Sequence, residues 1–138
     1  ERVLTVSGQA VKHPKNLWVK VGTPVKDIVE YCGGESVAPK KVIQGGPMTG
    51  VALENYDVYT HKTTSGVLLL SEKEAAADEP TPCINCGKCA DVCPMHLMPM
   101  NTAFYSAAGD FEAAGKYGQT MACIECGACE YICPAKRP

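Results

Sequence analysis

The sequence predicts an α+β protein in two parts, a small sheet with one covering helix over residues 1–72 and a mainly helical, cysteine-rich part over residues 83–138. Three observations carry this. Residues 2–8 and 16–21 alternate or run β-branched, the pattern of strands. Val25, Ile28, Val29 and Cys32 recur at i, i+3, i+4 and i+7, the apolar stripe of a helix laid on a sheet. A dense cysteine pattern begins at Cys83 and begins again at Cys123.

Taken in order, the first two strands are parted by His13-Pro14. Gly22-Thr23-Pro24 opens the helix, with Thr23 expected as its N-cap and Pro24 at its first position. Gly33-Gly34 stops it. Cys32 lies on the buried stripe and reads as a small hydrophobe rather than a reactive thiol. Residues 41–44 form a third strand, closed by the glycine-rich stretch 45–50. That stretch lacks the Lys-Ser/Thr of a phosphate loop and the G-x-G-x-x-G of a dinucleotide site, so it reads first as a shaped turn and second as a contact surface. Residues 67–70 are apolar without a break and are expected to be buried on both faces. Strand, strand, helix, strand, strand is the order of a small β-grasp sheet. His13 and His61 flank turns with no partner at ligand spacing, and read as solvated loop histidines.

Residues 72–82 are polar, charged and closed by two prolines, which places a linker at 73–82 with a turn of helix at its start. Farther on, residues 101–108 have helical character and end at Gly109, and Asp110 caps a second helix over 111–117. Both are expected to pack over the cysteine loops. Met95, Met98 and Met100 crowd after the first cysteine run and are expected to pack as flexible hydrophobes against what the cysteines hold. His96, beside them, is at most a hydrogen-bonding neighbour of that group.

The cysteines carry the chemistry. Cys83-x2-Cys86-x2-Cys89-x3-Cys93-Pro94 is repeated as Cys123-x2-Cys126-x2-Cys129-x3-Cys133-Pro134. This is the run that binds 4Fe–4S clusters in bacterial-type ferredoxins, with the fourth cysteine of each run ligating the other cluster. One cluster is therefore assigned to Cys83, Cys86, Cys89 and Cys133, and the second to Cys123, Cys126, Cys129 and Cys93. Gly87 and Gly127 are expected to bring the backbone close and aim N–H groups at sulfur. Structural zinc uses two separated cysteine pairs, so a third and fourth cysteine at this spacing are surplus to it. Disulfides fit the local geometry poorly.

Composition agrees. Nine cysteines exceed what a reduced core uses, and thiol ligation suits a reducing, cytoplasmic compartment. The net charge of −2 provides no basic patch for nucleic acid, and no apolar stretch is long enough to span a membrane. No nucleophile–base pair or paired carboxylates form a catalytic set. The cysteine-rich half is expected to collapse without iron.

Thr5-Val-Ser-Gly8, Gly22-Thr-Pro24, Lys41-Val-Ile-Gln-Gly-Gly-Pro-Met48, Thr64-Ser-Gly66 and Cys133-Pro-Ala-Lys-Arg-Pro138 together with the two cysteine runs resemble the C subunit of the Rnf electron transport complex. The resemblance covers essentially the whole chain. It implies a soluble-ligand-binding β-grasp (SLBB) domain followed by a two-cluster helical ferredoxin module. It further implies a peripheral subunit on the cytoplasmic side of a membrane complex that exchanges electrons between ferredoxin and NAD, coupled to ion translocation. Other subunits, and soluble ferredoxin, are the implied partners. FMN and NAD are implied only for a domain that precedes SLBB in the family, so the chain is expected to be a fragment, inactive by itself.

The expected function is electron relay through two 4Fe–4S clusters. Lys88, Lys136 and Arg137 adjoin ligand cysteines and either tune potentials or are ordinary solvated charges. Lys88 and Glu125 fall beside different runs, so the clusters are expected to differ in potential. The alternatives are a ligand-binding module with structural clusters, or a subunit of another flavin-linked reductase such as a cobalamin reductase.

Overall fold

Five strands of the first unit join in one sheet: β1 (Arg2–Ser7), β2 (Lys15–Val19), β3 (Lys41–Gln44), β4 (Val51–Leu53) and β5 (Gly66–Leu70). The computed structural model describes residues 1–76 and 78–138 and divides into two units, Glu1–Ala77 and Asp78–Pro138. Strand order is β2-β1-β5-β3-β4. The central pair β1 and β5 is parallel, with Val6 opposite Val67; the other pairs are antiparallel.

Side chains alternate across a strand, so Leu4 and Val6 of β1 share a face with Val67 and Leu69 of β5. All four are buried against Val25, Ile28 and Val29 of α1 (Val25–Tyr31), together with Cys32, Ala10 and Val11. This is the core, and it confirms Cys32 as a packed side chain. The expectation that residues 67–70 are buried on both faces fails. Only one face carries the helix, and Leu68 and Leu70 on the other remain half-covered. The three-residue β4, too short to announce itself in the sequence, pairs with β3 across the turn at 45–50. A Cβ on Gly50 would stand 2.5 Å from both the Gly46 oxygen and Ile43 Cγ2, so the hairpin needs glycine there.

The start of α1 differs from the sequence expectation by one residue. Pro24 is extended (φ −59°, ψ 136°) and stands at the N-cap, with no side-chain cap bond. The reason is a short bridge between Pro24 and Tyr59. It supplies the Val58 carbonyl to the Val25 N–H at 2.9 Å, satisfying a donor that a cap would otherwise take. The Thr23 hydroxyl donates to the Lys20 carbonyl instead, at 2.8 Å. The helix ends as glycine allows. Gly33 N–H bonds Glu30 O and Gly34 N–H bonds Val29 O, both at 2.9 Å, with Gly33 at φ +85°.

After β5, Ser71 caps α2 (Glu72–Ala75) in a reciprocal box with Glu74. Glu74 Oε2 also accepts from the Gln9 N–H at 2.9 Å, tying this turn of helix to the sheet unit.

The second unit has no strand among its described residues. It holds α3 (Lys88–Asp91), α4 (Pro99–Ala107), α5 (Phe111–Gly118), a 3-10 turn at Thr120–Ala122, and α6 (Ala128–Ile132). Asp110 Oδ1 accepts from the Ala113 N–H at 2.9 Å and caps α5, the cap its sequence announces. A Cβ on Gly118 would lie 2.1 Å from Thr102 Oγ1, so α4 and α5 touch almost backbone to backbone. Buried apolar side chains here are few and mostly small: Leu97, Ala114 and Ala135. Among the described residues no helix is long and apolar enough to cross a membrane.

Two outcomes follow for the sheet unit. Gly8 has φ +110°, and a Cβ there would stand 2.0 Å from the Leu69 oxygen. Gly8→Ala is expected to lose about 3 kcal/mol of stability, measured by urea unfolding followed by circular dichroism. Burial pushes the Cys32 thiol above its ordinary value, with the Lys15 ammonium pulling the other way. The unfolded thiol therefore ionises first as pH rises, and this contribution is full below about pH 8.5 and lost above it. Between about pH 7 and about pH 10, wild type should lose more stability than Cys32→Ala.

Candidate iron–sulfur site

Two loops of the second unit repeat one backbone course. In Cys83-Ile84-Asn85-Cys86-Gly87 and Cys123-Ile124-Glu125-Cys126-Gly127, the middle residue takes the left-handed conformation, at φ 53° for Asn85 and 54° for Glu125. This reversal turns its N–H back on the preceding cysteine. Asn85 N–H donates to Cys83 Sγ and Glu125 N–H to Cys123 Sγ, each at 3.4 Å. Gly87 (φ 78°) and Gly127 (φ 75°) follow at the N-caps of α3 and α6. Those helices carry Cys89 and Cys129 and pack against each other. The repeat extends past the fourth cysteines. His96 and Lys136 both have φ 52°, and their N–H groups bond the carbonyls of Cys93 and Cys133 at 3.0 and 3.2 Å.

The N–H donors to cysteine sulfur in these loops come from the residues midway between the cysteines. Gly87 and Gly127 supply the turn into each helix, while Asn85 and Glu125 supply the N–H···S bonds. Asn85 was recognisable, since asparagine tolerates left-handed backbone. Glu125 carries no such signal, and only its place in a repeat identifies it.

Cys83, Cys86, Cys89 and Cys133 line one cavity with about 320 Å³ of empty space, open to solvent. Met100 and Ala135 are among the other residues on its wall. Of the second run, Cys123, Cys126 and Cys129 are near neighbours. Burial pushes the Cys129 thiol up, backbone N–H groups at Glu130 and Cys129 pull it down, and the other two thiols push it up again. Cys93 Sγ accepts from the Leu97 N–H at 3.4 Å, and no hydrogen bond among the described residues ties it to that trio. All nine cysteines are free thiols. Among the described residues no three His, Cys, Asp or Glu side chains are grouped to hold a single metal ion.

The methionines divide. Met100 faces the cavity, whereas Met95 and Met98 are 43% and 40% exposed, Met98 being drawn to the start of α4. His96 contributes its backbone N–H near Cys93. Lys136 pairs with Asp78 at 3.2 Å on the surface.

Thiols arriving at one cavity from a loop, a helix and a distant fourth position are the donor set a cubane needs, with backbone N–H groups aimed at sulfur to favour the thiolate. Residues 82–136 match the 4Fe-4S dicluster domain family, and residues 3–52 match the SLBB domain family. The first span is thus similar to SLBB domains and the second to 4Fe-4S dicluster domains, the family whose chemistry the cysteine loops suit.

Over 106 residues the chain is 45% identical to the C subunit of the Na(+)-translocating ferredoxin:NAD(+) oxidoreductase complex of Acetobacterium woodii, covering 77% of this chain and 24% of that protein. It is 46% identical over 99 residues to the C subunit of the proton-translocating ferredoxin:NAD(+) oxidoreductase complex of Clostridium ljungdahlii, covering 72% and 22%. It is 45% identical over 117 residues to the C subunit of the ion-translocating oxidoreductase complex of Methanosarcina acetivorans, covering 85% and 26%. Over these spans the chain is similar to C subunits of ion-translocating oxidoreductase complexes. It spans about a quarter of the length of these relatives.

With only Leu97, Ala114 and Ala135 as buried apolar side chains among its described residues, the second unit is expected to depend on what its thiols hold. Anaerobic chelation of iron from the loaded protein should abolish amide-exchange protection in residues 83–138 while that of the sheet unit persists, as hydrogen-exchange mass spectrometry would read.

Proposed function

We propose that this chain is the segment of an Rnf-type C subunit that relays single electrons through two 4Fe–4S clusters. The observation that carries it is the repeated cysteine loop with Cys133, from the second run, on the wall of the cavity lined by the first. In this reading Cys83, Cys86, Cys89 and Cys133 hold one cluster, and Cys123, Cys126, Cys129 and Cys93 hold the other. Support for the second quartet comes from the repeat, because Cys93 ends its run in the backbone course that Cys133 ends in its own.

When bound, each cluster supplies reversible one-electron acceptance. The chain supplies the rest. Eight thiolates fix the two groups, Asn85 and Glu125 offset sulfur charge through their N–H groups, and α3 packed on α6 sets the two loops at a short separation. No side chain is asked to move a proton.

The preceding sheet, with its parallel central pair, is taken as a β-grasp SLBB module over residues 1–72 that meets other subunits, with residues 73–82 leading to the cluster module at 83–138. The whole complex would work as its relatives' names state, between ferredoxin and NAD with ion translocation, and the chain would sit peripherally at the cytoplasmic face. Reduced ferredoxin is a candidate electron donor. No residue here is assigned to FMN or NAD.

Anaerobic reconstitution should give about eight irons and eight sulfides per chain, with reversible one-electron waves in an EPR-monitored titration. Cys133→Ala should alter the same EPR signal as Cys86→Ala, and Cys93→Ala the same signal as Cys126→Ala. The opposite pairing would refute the crossed ligation. Clusters that fail to cycle reversibly would refute the relay.

A further inference from the structure

We infer that the residue at the centre of each C-x2-C loop, Asn85 in the first run and Glu125 in the second, orders the two potentials, with the second run's site the harder to reduce. The inference rests on the relay reading above and assigns it a direction.

The argument begins from what the two loops share. Both central residues have the same left-handed backbone, and both donate an N–H to the preceding sulfur at 3.4 Å. This backbone donation is therefore common to the two loops and cancels in the difference, while the Leu97 N–H on Cys93 Sγ, a ligand of the second site in this reading, acts in opposition. What remains is the side chain. Asn85 is neutral, with Oδ1 lying 3.6 Å from Cys83 Sγ. Glu125 holds the corresponding position of the second loop and brings a carboxylate in place of the amide. Reduction adds one negative charge at the site, and a like charge beside it opposes that step.

The flanking residues lean the same way. Lys88 sits between Gly87 and Cys89, both on the cavity wall, where the second run has Ala128. Glu130 follows Cys129 where the first run has Ala90. One residue acts in opposition: Asp91 of the first run stands where the second has Tyr131. Lys136 adjoins Ala135 on the first cavity's wall, with part of its charge taken up by Asp78. The first run thus carries one lysine and one aspartate, and the second carries two glutamates. An electron entering on the side of Cys123 would pass downhill to the side of Cys83.

Glu125 is exposed, so solvent and salt screen it. Its expected effect is about a tenfold change in the oxidised-to-reduced ratio at fixed potential, which for one electron is about 59 mV.

The test is an anaerobic EPR-monitored redox titration of the cluster-loaded chain as wild type, Glu125→Asn and Asn85→Asp. Asn and Asp both tolerate left-handed backbone, so neither change burdens its loop. Two potentials are expected in wild type. Glu125→Asn should raise the lower one by about tenfold in ratio and leave the higher in place, and the shift should shrink as ionic strength rises. Asn85→Asp should lower the higher one. A single unresolved wave in wild type, a Glu125→Asn shift in the higher potential, or no shift in either would overturn the ordering. Should Glu125→Asn load incompletely, Glu125→Gln makes the same measurement. Iron and sulfide analysis of wild type separates the two readings: fewer than two clusters defeats the relay itself, whereas two clusters in the wrong order defeats only this inference.

Discussion

In the proposed reading, four sulfur atoms must diverge around one inorganic group while three of them hang from seven consecutive residues of chain. That constraint shapes the second unit. The chain meets it by reversing at Asn85 and Glu125, then turning through Gly87 and Gly127 into helices too short to be stable by themselves. Left-handed backbone disfavours a residue such as Glu125 by about 1 kcal/mol or more. The N–H···S bond gained by the same reversal offsets that cost and favours the thiolate. Local strain and ligand chemistry are thus one feature.

The two units hold together by different means. In the sheet unit Leu4, Val6, Val25, Val67 and Leu69 close on one another, and the polar groups left over find partners. Thr64, 1% exposed, accepts from the His61 N–H and the Gln44 amide, both at 3.0 Å. The cysteine unit has no comparable core among its described residues, and its helices leave Phe104, Phe111 and Tyr131 largely exposed. Its order derives from loops built around sulfur, and from a close α4–α5 approach that needs Gly118.

An iron–sulfur relay asks for this division. The protein's means of setting a potential are hydrogen bonds to sulfur, burial and nearby charge. Here the first of these is duplicated between the two loops, while charge is not. A repeat that keeps its backbone course while its charged side chains change varies electrostatics more than geometry, which is how, in the proposed reading, two chemically alike sites would come to differ.

Sequence alone determined the strands at 2–7, 41–44 and 66–70 to within a residue or two, the stripe of α1, and the caps at Gly33 and Asp110. Each of these is local: period, spacing and capping are properties of neighbours along the chain. Tertiary structure decided what depends on distant partners. Pro24 became an N-cap because Val58 and Tyr59 came to meet it. Leu68 and Leu70 stayed half-covered because α1 packs on the opposite face of the sheet, against Val67 and Leu69. Three residues at Val51–Leu53 became a strand because β3 offered an edge. Glu125 became a sulfur-facing donor through a backbone conformation its residue type does not favour. For Pro24 the deciding energy belongs to a contact between segments far apart in sequence, and for Glu125 it belongs to a backbone reversal that residue type does not announce.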